Sequence, residues 1–247
     1  MTVLQRQYRD IAQKTGEICT GQANLQPMLF KSDRLLVNNV VPINCMNEIY
    51  LASRSPRRLE LLQQMGVACK TVLLREDATR SRDVDESPLG SENPFIYVER
   101  MAKMKAEIGS LRAKQRALPK MPLLGADTIV VFNGTIFGKP TDPADARRML
   151  KLLSGTTHEV LTAVAVTDGT QLLHDTCVSR VRFRDLTEGE INGYINTNEP
   201  MGKAGAYAVQ GLGAMFIERL EGSYSGVMGL PIFETSMLLS RFGIHVL

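Results

Sequence analysis

The stretch Ile49-Tyr50-Leu51-Ala52-Ser53-Arg54-Ser55-Pro56-Arg57-Arg58-Leu59-Glu60-Leu61-Leu62 decides the fold. Ile49–Ser53 predicts a short apolar strand, and a helix follows directly over Pro56–Met65. Ser55 stands at the N-cap, Pro56 at the first helical position, and Gly66 ends the helix. Leu59, Leu61, Leu62 and Met65 mark its apolar side. The first turn of a helix carries free N–H groups and a partial positive charge, so it can seat a phosphate. Ser53 and Ser55 add hydroxyl donors, and Arg57 and Arg58 add two guanidinium forks that suit phosphate oxygens. The plain alternative is a capped surface helix with solvated arginines. Arg54 makes three basic residues within five positions, where the helix dipole favours acids. Local stability does not explain that choice, so an anionic ligand is expected.

Downstream, helices and strands alternate. Residues 75–94 are charged and rich in Ser, Asp, Asn and Pro, which predicts a loop, and a helix is expected over 94–111. Leu123–Phe132 and Thr135–Gly138 read as strands joined at Asn133-Gly134, a strong hairpin signal. Asp142 caps a helix with Pro143 at its first position, running to Leu153. Val160–Thr167 and Gln171–Phe183 read as paired strands around Asp168-Gly169. Thr187 and Glu190 form a capping box opening a helix through Ile195. Ala206–Gln210 and Ala214–Leu220 are expected as strands separated by Gly211 and Gly213, and a last helix follows Pro231. Hairpins among helices predict an α/β fold with a mixed sheet.

Charge narrows the partners. The 247 residues carry a net +3, but residues 1–47 hold five Lys/Arg against three Asp/Glu, and the remainder 24 against 23. A domain so near neutrality has no global field for gripping nucleic acid, so any anion must meet a local basic cluster. No run approaches the ~18 to 20 apolar residues of a membrane span. Cys19, Cys45, Cys69 and Cys177 form no C-x-x-C pair, and His158, His174 and His245 are scattered. This argues against structural zinc and a disulfide framework and fits a reducing, cytoplasmic setting. Any metal would be a hard cation on oxygen ligands. Residues 1–47 contain no motif, and a functional domain is expected to begin at Met46, leaving an N-terminal extension before a domain of residues 48–247.

Further candidates lie along that domain. Asp127 sits in an otherwise apolar strand, where a carboxylate needs a partner, a hydrogen bond or a metal; a loop-bonded strand-end Asp is its ordinary alternative. Lys139 follows the hairpin, where it could meet phosphate or Asp127, although a lone Lys there is usually solvated. Asp83-Val84-Asp85-Glu86 could hold Mg²⁺ through carboxylates and waters, or be a solvated charge run. Lys103 and Lys105 sit on the helix that follows, where lysines are usually at the surface. In Lys203-Ala204-Gly205-Ala206-Tyr207-Ala208-Val209-Gln210-Gly211 small residues let backbone approach a ligand, and Gln210 offers a donor and an acceptor to a nucleobase edge. A tight β-corner explains the glycines equally well.

Taken in order, LASRSPRRLELL (51–62), DVDES (83–87), MAKMKA (101–106), GADTIVVFNGTIFGKP (125–140), ARRMLKLLSGTTHEVLTAVAV (146–166) and EPMGKAGAYAVQGLGAMFIERLEGSYSGVMGLP (199–231) resemble the Maf family of nucleoside triphosphate pyrophosphatases. The resemblance covers nearly all of residues 48–247 and implies a Maf/Ham1 (ITPase-like) fold, an elongated two-lobed domain with a central mixed sheet and a cleft between lobes. It implies hydrolysis of a nucleoside triphosphate to the monophosphate and pyrophosphate with a divalent metal (Mg²⁺ or Mn²⁺), often by a homodimer. The KAGAYAVQG form resembles the branch acting on dTTP and UTP. The alternatives are 7-methyl-GTP or another modified nucleotide as substrate, or a nucleotide-binding regulator of cell division without turnover. By resemblance, Asp127 matches the proton acceptor, and Arg57, Thr128 and Gln210 match positions tied to substrate choice. Ser53, Ser55, Arg58, Glu86, Lys105 and Lys139 match other active-site positions. Glu86 and Asp127 are the expected metal ligands, with Asp127 as base or ligand left open. Three features depart from the family pattern. The Gly66–Glu86 stretch is longer, residues 1–47 have no counterpart, and Gly202 replaces an Asp that commonly precedes Lys203.

Overall fold

The computed structural model describes residues 47–75 and 83–246. The expected extension therefore lies outside the described residues, apart from Asn47, as does its proposed boundary at Met46. The elements run β1 (Glu48–Leu51), α1 (Pro56–Gln64), β2 (Ala68–Thr71), α2 (Pro94–Gln115), β3 (Leu123–Phe132), β4 (Thr135–Phe137), α3 (Pro143–Leu153), β5 (Thr157–Thr167), β6 (Leu172–Phe183), α4 (Glu188–Asn196), β7 (Ile217–Glu221), α5 (Tyr224–Met228) and α6 (Ile232–Ser240). They form an α/β fold on one mixed sheet, ordered β2-β1-β3-β5-β6-β7, with β4 on β3. β1 pairs in parallel with β2 and β3, and the other pairings are antiparallel.

Alternation along the long strands assigns the layers. Leu123, Ile129 and Val131 of β3, with Leu161, Ala163 and Ala165 of β5, pack under α2 through Val98, Met101, Ala102 and Ala106. The opposite face is divided. Leu124, Ala126, Val164 and Val166 meet α1 and α6. Further along the same strands Val130, Val160, Val181 and Phe183 meet α3 and α4. Thr128 and Thr162 lie opposite each other at the seam between these two cores.

One edge of β3 is shared by two strands. β1 pairs with it at Leu123 and Leu124, and β4 at Val130–Phe132. Among the described residues no strand pairs with 125–129 on that side. This gap opens the sheet, and both faces of β3 can line a cleft there. Gly125 permits a second close approach, because a Cβ at this position would lie 2.5 Å from the Ala106 nitrogen and 2.6 Å from the Ala102 carbonyl oxygen. Only a glycine lets α2 lie so near β3.

The expected caps hold at Asp142 and in the Thr187/Glu190 box, and Asn133 and Gly134 both take positive φ in the hairpin. Ser55 occupies the N-cap of α1 but its hydroxyl makes no capping bond. β2 and α5 were not expected, and α2 runs past 111 to Gln115. The two expected strands at 206–210 and 214–220 require correction: Ala204–Ala206 and Leu212–Phe216 are single 3₁₀ turns, and the strand is Ile217–Glu221. Gly205 and Ala206 turn the chain with φ of 66° and 61°, and Glu199 accepts from the Leu212 and Gly213 amides in the connection between the two expected strands.

Candidate active site

A cleft of about 600 Å³ opens at the gap in β3. Ser53, Ser55, Arg57, Arg58, Glu86, Lys105, Asp127, Thr128, Lys139, Lys203 and Gln210 all line it, so every site residue predicted from sequence falls in one place. Such a volume suits a small organic ligand.

Its floor is an acid–lysine–acid cluster. Close packing of α2 on Gly125 brings Lys105 within reach of the strand. Its Nζ lies 2.7 Å from Asp127 Oδ1 and 2.7 Å from Glu86 Oε1. Burial works against the ammonium, but the charges of Asp127 and Glu86 outweigh it and hold the Lys105 pKa above its usual value. For Glu86, burial would raise the carboxyl. Lys105 foremost, with Lys139 and Arg58, overcomes this and holds it below the usual range. The Tyr97 hydroxyl donates to the Glu86 carbonyl at 2.8 Å and fixes that loop.

The acidic run itself divides. Asp83 is an anchor, paired with Arg112 and accepting from the Arg75 amide at 2.9 Å, and Val84 is buried. Asp85 accepts from the Ser87 amide, and of the run only Glu86 lines the cleft. Likewise Lys103 pairs with Glu99, while Lys105 turns inward.

Cations form the wall. Arg58 donates to the Gly229 carbonyl (2.8 Å), Ser53 Oγ (3.2 Å) and Thr128 Oγ1 (3.1 Å). Burial lowers its pKa, with the Asp127 charge acting in the opposite sense, and it stays cationic. Burial also lowers the pKa of Arg57. Lys203 is lowered by burial and then by the charges of Arg57 and Lys139, with Glu199 pulling it back. Mutually repelling cations in a half-buried pocket are the electrostatic mark of an anion site.

At the other end the chain from 199 to 213 supplies Gln210, which is exposed in the cleft. Tyr207 does not present its hydroxyl there. That group lies 2.9 Å from His158 Nε2, and the side chain is buried. Sequence reasoning also missed Thr162, whose hydroxyl donates to Thr128 Oγ1 (3.0 Å) or to the Gly226 carbonyl (2.8 Å) at the seam. A Thr within the apolar run 160–166 was the available signal.

Among the described residues no group of three or more His, Cys, Asp or Glu is placed to hold a metal. Glu86 and Asp127 are hard oxygen donors beside a cationic wall, which fits a Mg²⁺ or Mn²⁺ completed by water and phosphate oxygens. Among the described residues no helix is long and apolar enough to cross a membrane.

Fold and cleft together define a mixed-sheet α/β protein with a cationic cleft built on a helix start and an acid–lysine floor. Residues 48–242 match the Maf-like proteins, and the chain belongs to that family. A relative from Nitrosospira multiformis called "dTTP/UTP pyrophosphatase" is 54% identical over 204 residues, covering 81% of this chain and 97% of the relative. Relatives with the same description from Aromatoleum aromaticum and Nitrosomonas europaea are 53% and 52% identical, covering 79% and 81% of this chain and 95% and 97% of their own lengths.

Proposed function

We propose that this chain hydrolyses dTTP and UTP to the nucleoside monophosphate and pyrophosphate. The observation that carries this reading is the Asp127–Lys105–Glu86 cluster in a cleft walled by Arg57, Arg58, Lys139 and Lys203. The names of relatives at about half identity support the choice of nucleotide.

In this reading Asp127 accepts a proton from water as the water oxygen bonds to the α-phosphorus. The bond from that phosphorus to the bridging oxygen breaks, and pyrophosphate leaves with the electron pair. Negative charge then moves toward the leaving group. Arg57, Arg58 and Lys139 are placed to meet it, and such preorganised charge is typically the largest single contribution to catalysis. Ser53, Ser55 and the free amides of α1 seat phosphate oxygens, and Lys105 holds both carboxylates in position. Glu86 and Asp127 would hold a divalent cation, which when bound supplies charge neutralisation on phosphate oxygens and a more acidic water. Gln210 faces the base, with Thr128 and Arg57 also bearing on substrate choice. Residues 48–247 are the functional domain, acting as a cytoplasmic homodimer, an assignment carried by the family resemblance.

The test is pyrophosphate release from a panel of triphosphates with Mg²⁺ or Mn²⁺. UTP and dTTP are expected to be turned over fastest. Preference for 7-methyl-GTP would overturn the substrate, and nucleotide protection against melting with no pyrophosphate release would overturn the activity.

A further inference from the structure

Glu199 does not line the cleft, yet three donors converge on its carboxylate. The Tyr194 hydroxyl donates to Oε1 at 2.8 Å, the Gly213 amide to Oε1 at 3.0 Å and the Leu212 amide to Oε2 at 3.0 Å. Tyr194 in turn accepts from the Ala208 amide at 3.2 Å. Two side chains thereby hold the backbone on both sides of Gln210. A Cβ on Gly211 would lie 2.5 Å from both Glu199 oxygens, so the carboxylate packs directly against the loop backbone. Burial would raise the Glu199 carboxyl, but the two amides, Tyr194 and Lys203 hold it below the usual range. Its ionised form therefore persists at neutral pH, where a carboxylate accepting several hydrogen bonds is a strong fixture.

We propose that Glu199 is the positioning residue for the base end of the cleft. It acts through the 208–213 backbone to fix where the Gln210 amide stands, without touching substrate itself. The inference rests on the nucleotide reading above. A neutral, shorter side chain at 199 leaves two amides unpaired and lets the loop drift, so Gln210 is no longer held against the base. The phosphate seat on α1 and the acid–lysine floor belong to other elements and stay in place.

The experiment compares wild type, Glu199→Ala, Glu199→Gln and Gly211→Ala. Each variant is first checked for a cooperative melt. Kinetics with UTP and dTTP are measured beside thermal-shift titrations with UMP and with pyrophosphate. Glu199→Ala and Gly211→Ala are expected to raise KM about tenfold, on the scale of one unpaired polar group, with kcat within about threefold. They weaken UMP binding in step and leave pyrophosphate binding unchanged. Glu199→Gln keeps an oxygen that accepts from both amides and retains most of the affinity. The proposal is overturned if folded Glu199→Ala and Gly211→Ala keep wild-type KM and UMP affinity. It is equally overturned if Glu199→Gln is as damaged as Glu199→Ala and loses pyrophosphate binding, because the effect then runs through Lys203. Absence of turnover in wild type would sink the hydrolase reading separately, and the UMP and pyrophosphate titrations would still decide the role of Glu199.

Discussion

At the cationic end of the cleft, Arg57, Arg58, Lys105 and Asp127 stand on α1, α2 and β3, and they are placed by regular backbone and close packing. At the Gln210 end the chain makes two 3₁₀ turns and takes positive φ at Gly202, Gly205 and Ala206. It is held there by side chains: Glu199 with Tyr194, and Tyr207 against His158, Phe183 and the ring cluster. The first end is stiff because moving any charge would mean moving an element. The second depends on a few buried hydrogen bonds, each removable by one substitution. Chemistry that must place charge to within fractions of an ångström fits the first arrangement, and the proposed recognition of a base fits the second.

The largest effect is expected from Asp127→Asn, which keeps shape and removes the proposed proton acceptor. Turnover of UTP and dTTP should fall by about 10²- to 10⁴-fold, the usual weight of a positioned general base, with KM changed by less than about threefold. Pyrophosphate release is the measurement. Near-normal turnover on every triphosphate would show that the division into a chemical end and a recognition end is misplaced.

Gly125→Ala tests whether packing sets the chemical end. The new Cβ meets backbone of α2 at 2.5 Å, too close for any real contact, so helix and strand must separate. A cost of about 3 kcal/mol is expected, at the upper end for overpacking. Urea unfolding reads it. Because Lys105 rides on α2 and Asp127 on β3, turnover should fall further than Gln210-end binding does.

How much of this was legible in sequence follows the same division. The α1 seat, Asp127 and Lys139 could be found because strand, cap and hairpin signals are local, and charge in an apolar strand announces itself. Glu86 was separable from Asp83 only through tertiary pairing, since Arg112, which neutralises Asp83, lies far along the chain on α2. At the other end, the segments on either side of Gly211 and Gly213 read as strands. The carboxylate that pins the Leu212 and Gly213 amides sits at 199, beyond any local pattern. The gap in β3 was equally invisible, because it arises from where two other strands stop pairing.

Acid should loosen the recognition end first. His158 is 1% exposed; its Nε2 meets Tyr207, its Nδ1 has no hydrogen-bond partner among the described residues, and burial lowers its pKa to about 4. An unfolded His titrates near 6.5, so between about pH 6.5 and 4 the unfolded chain binds the extra proton and stability falls as pH falls. The loss between pH 7 and 5 is roughly 2 kcal/mol. Glu86 is a carboxylate with a lowered pKa, so its contribution is intact above its unfolded value and is lost only at lower pH. Unfolding free energies at pH 7, 6 and 5 should slope downward in wild type and flatten in His158→Gln. Equal slopes in the two proteins would remove His158 as the cause.

The smallest effect is expected from Tyr194→Phe, and its size sharpens the contrast between the ends. The substitution deletes one donor to Glu199 and the acceptor for the Ala208 amide, but leaves the Leu212 and Gly213 amides on the carboxylate. A destabilisation of about 1 kcal/mol follows from one buried hydrogen-bonded hydroxyl. If the 208–213 backbone is held chiefly by Glu199, KM for UTP should rise by only about twofold, well below the effect of removing the carboxylate. If instead Tyr194→Phe matched Glu199→Ala, the Tyr194 hydroxyl, which accepts from the Ala208 amide and donates to Glu199, would be as much the support of Gln210 as the carboxylate. The recognition end would then hang on a two-residue hydrogen-bonded relay, unlike the helix and strand that carry the charges.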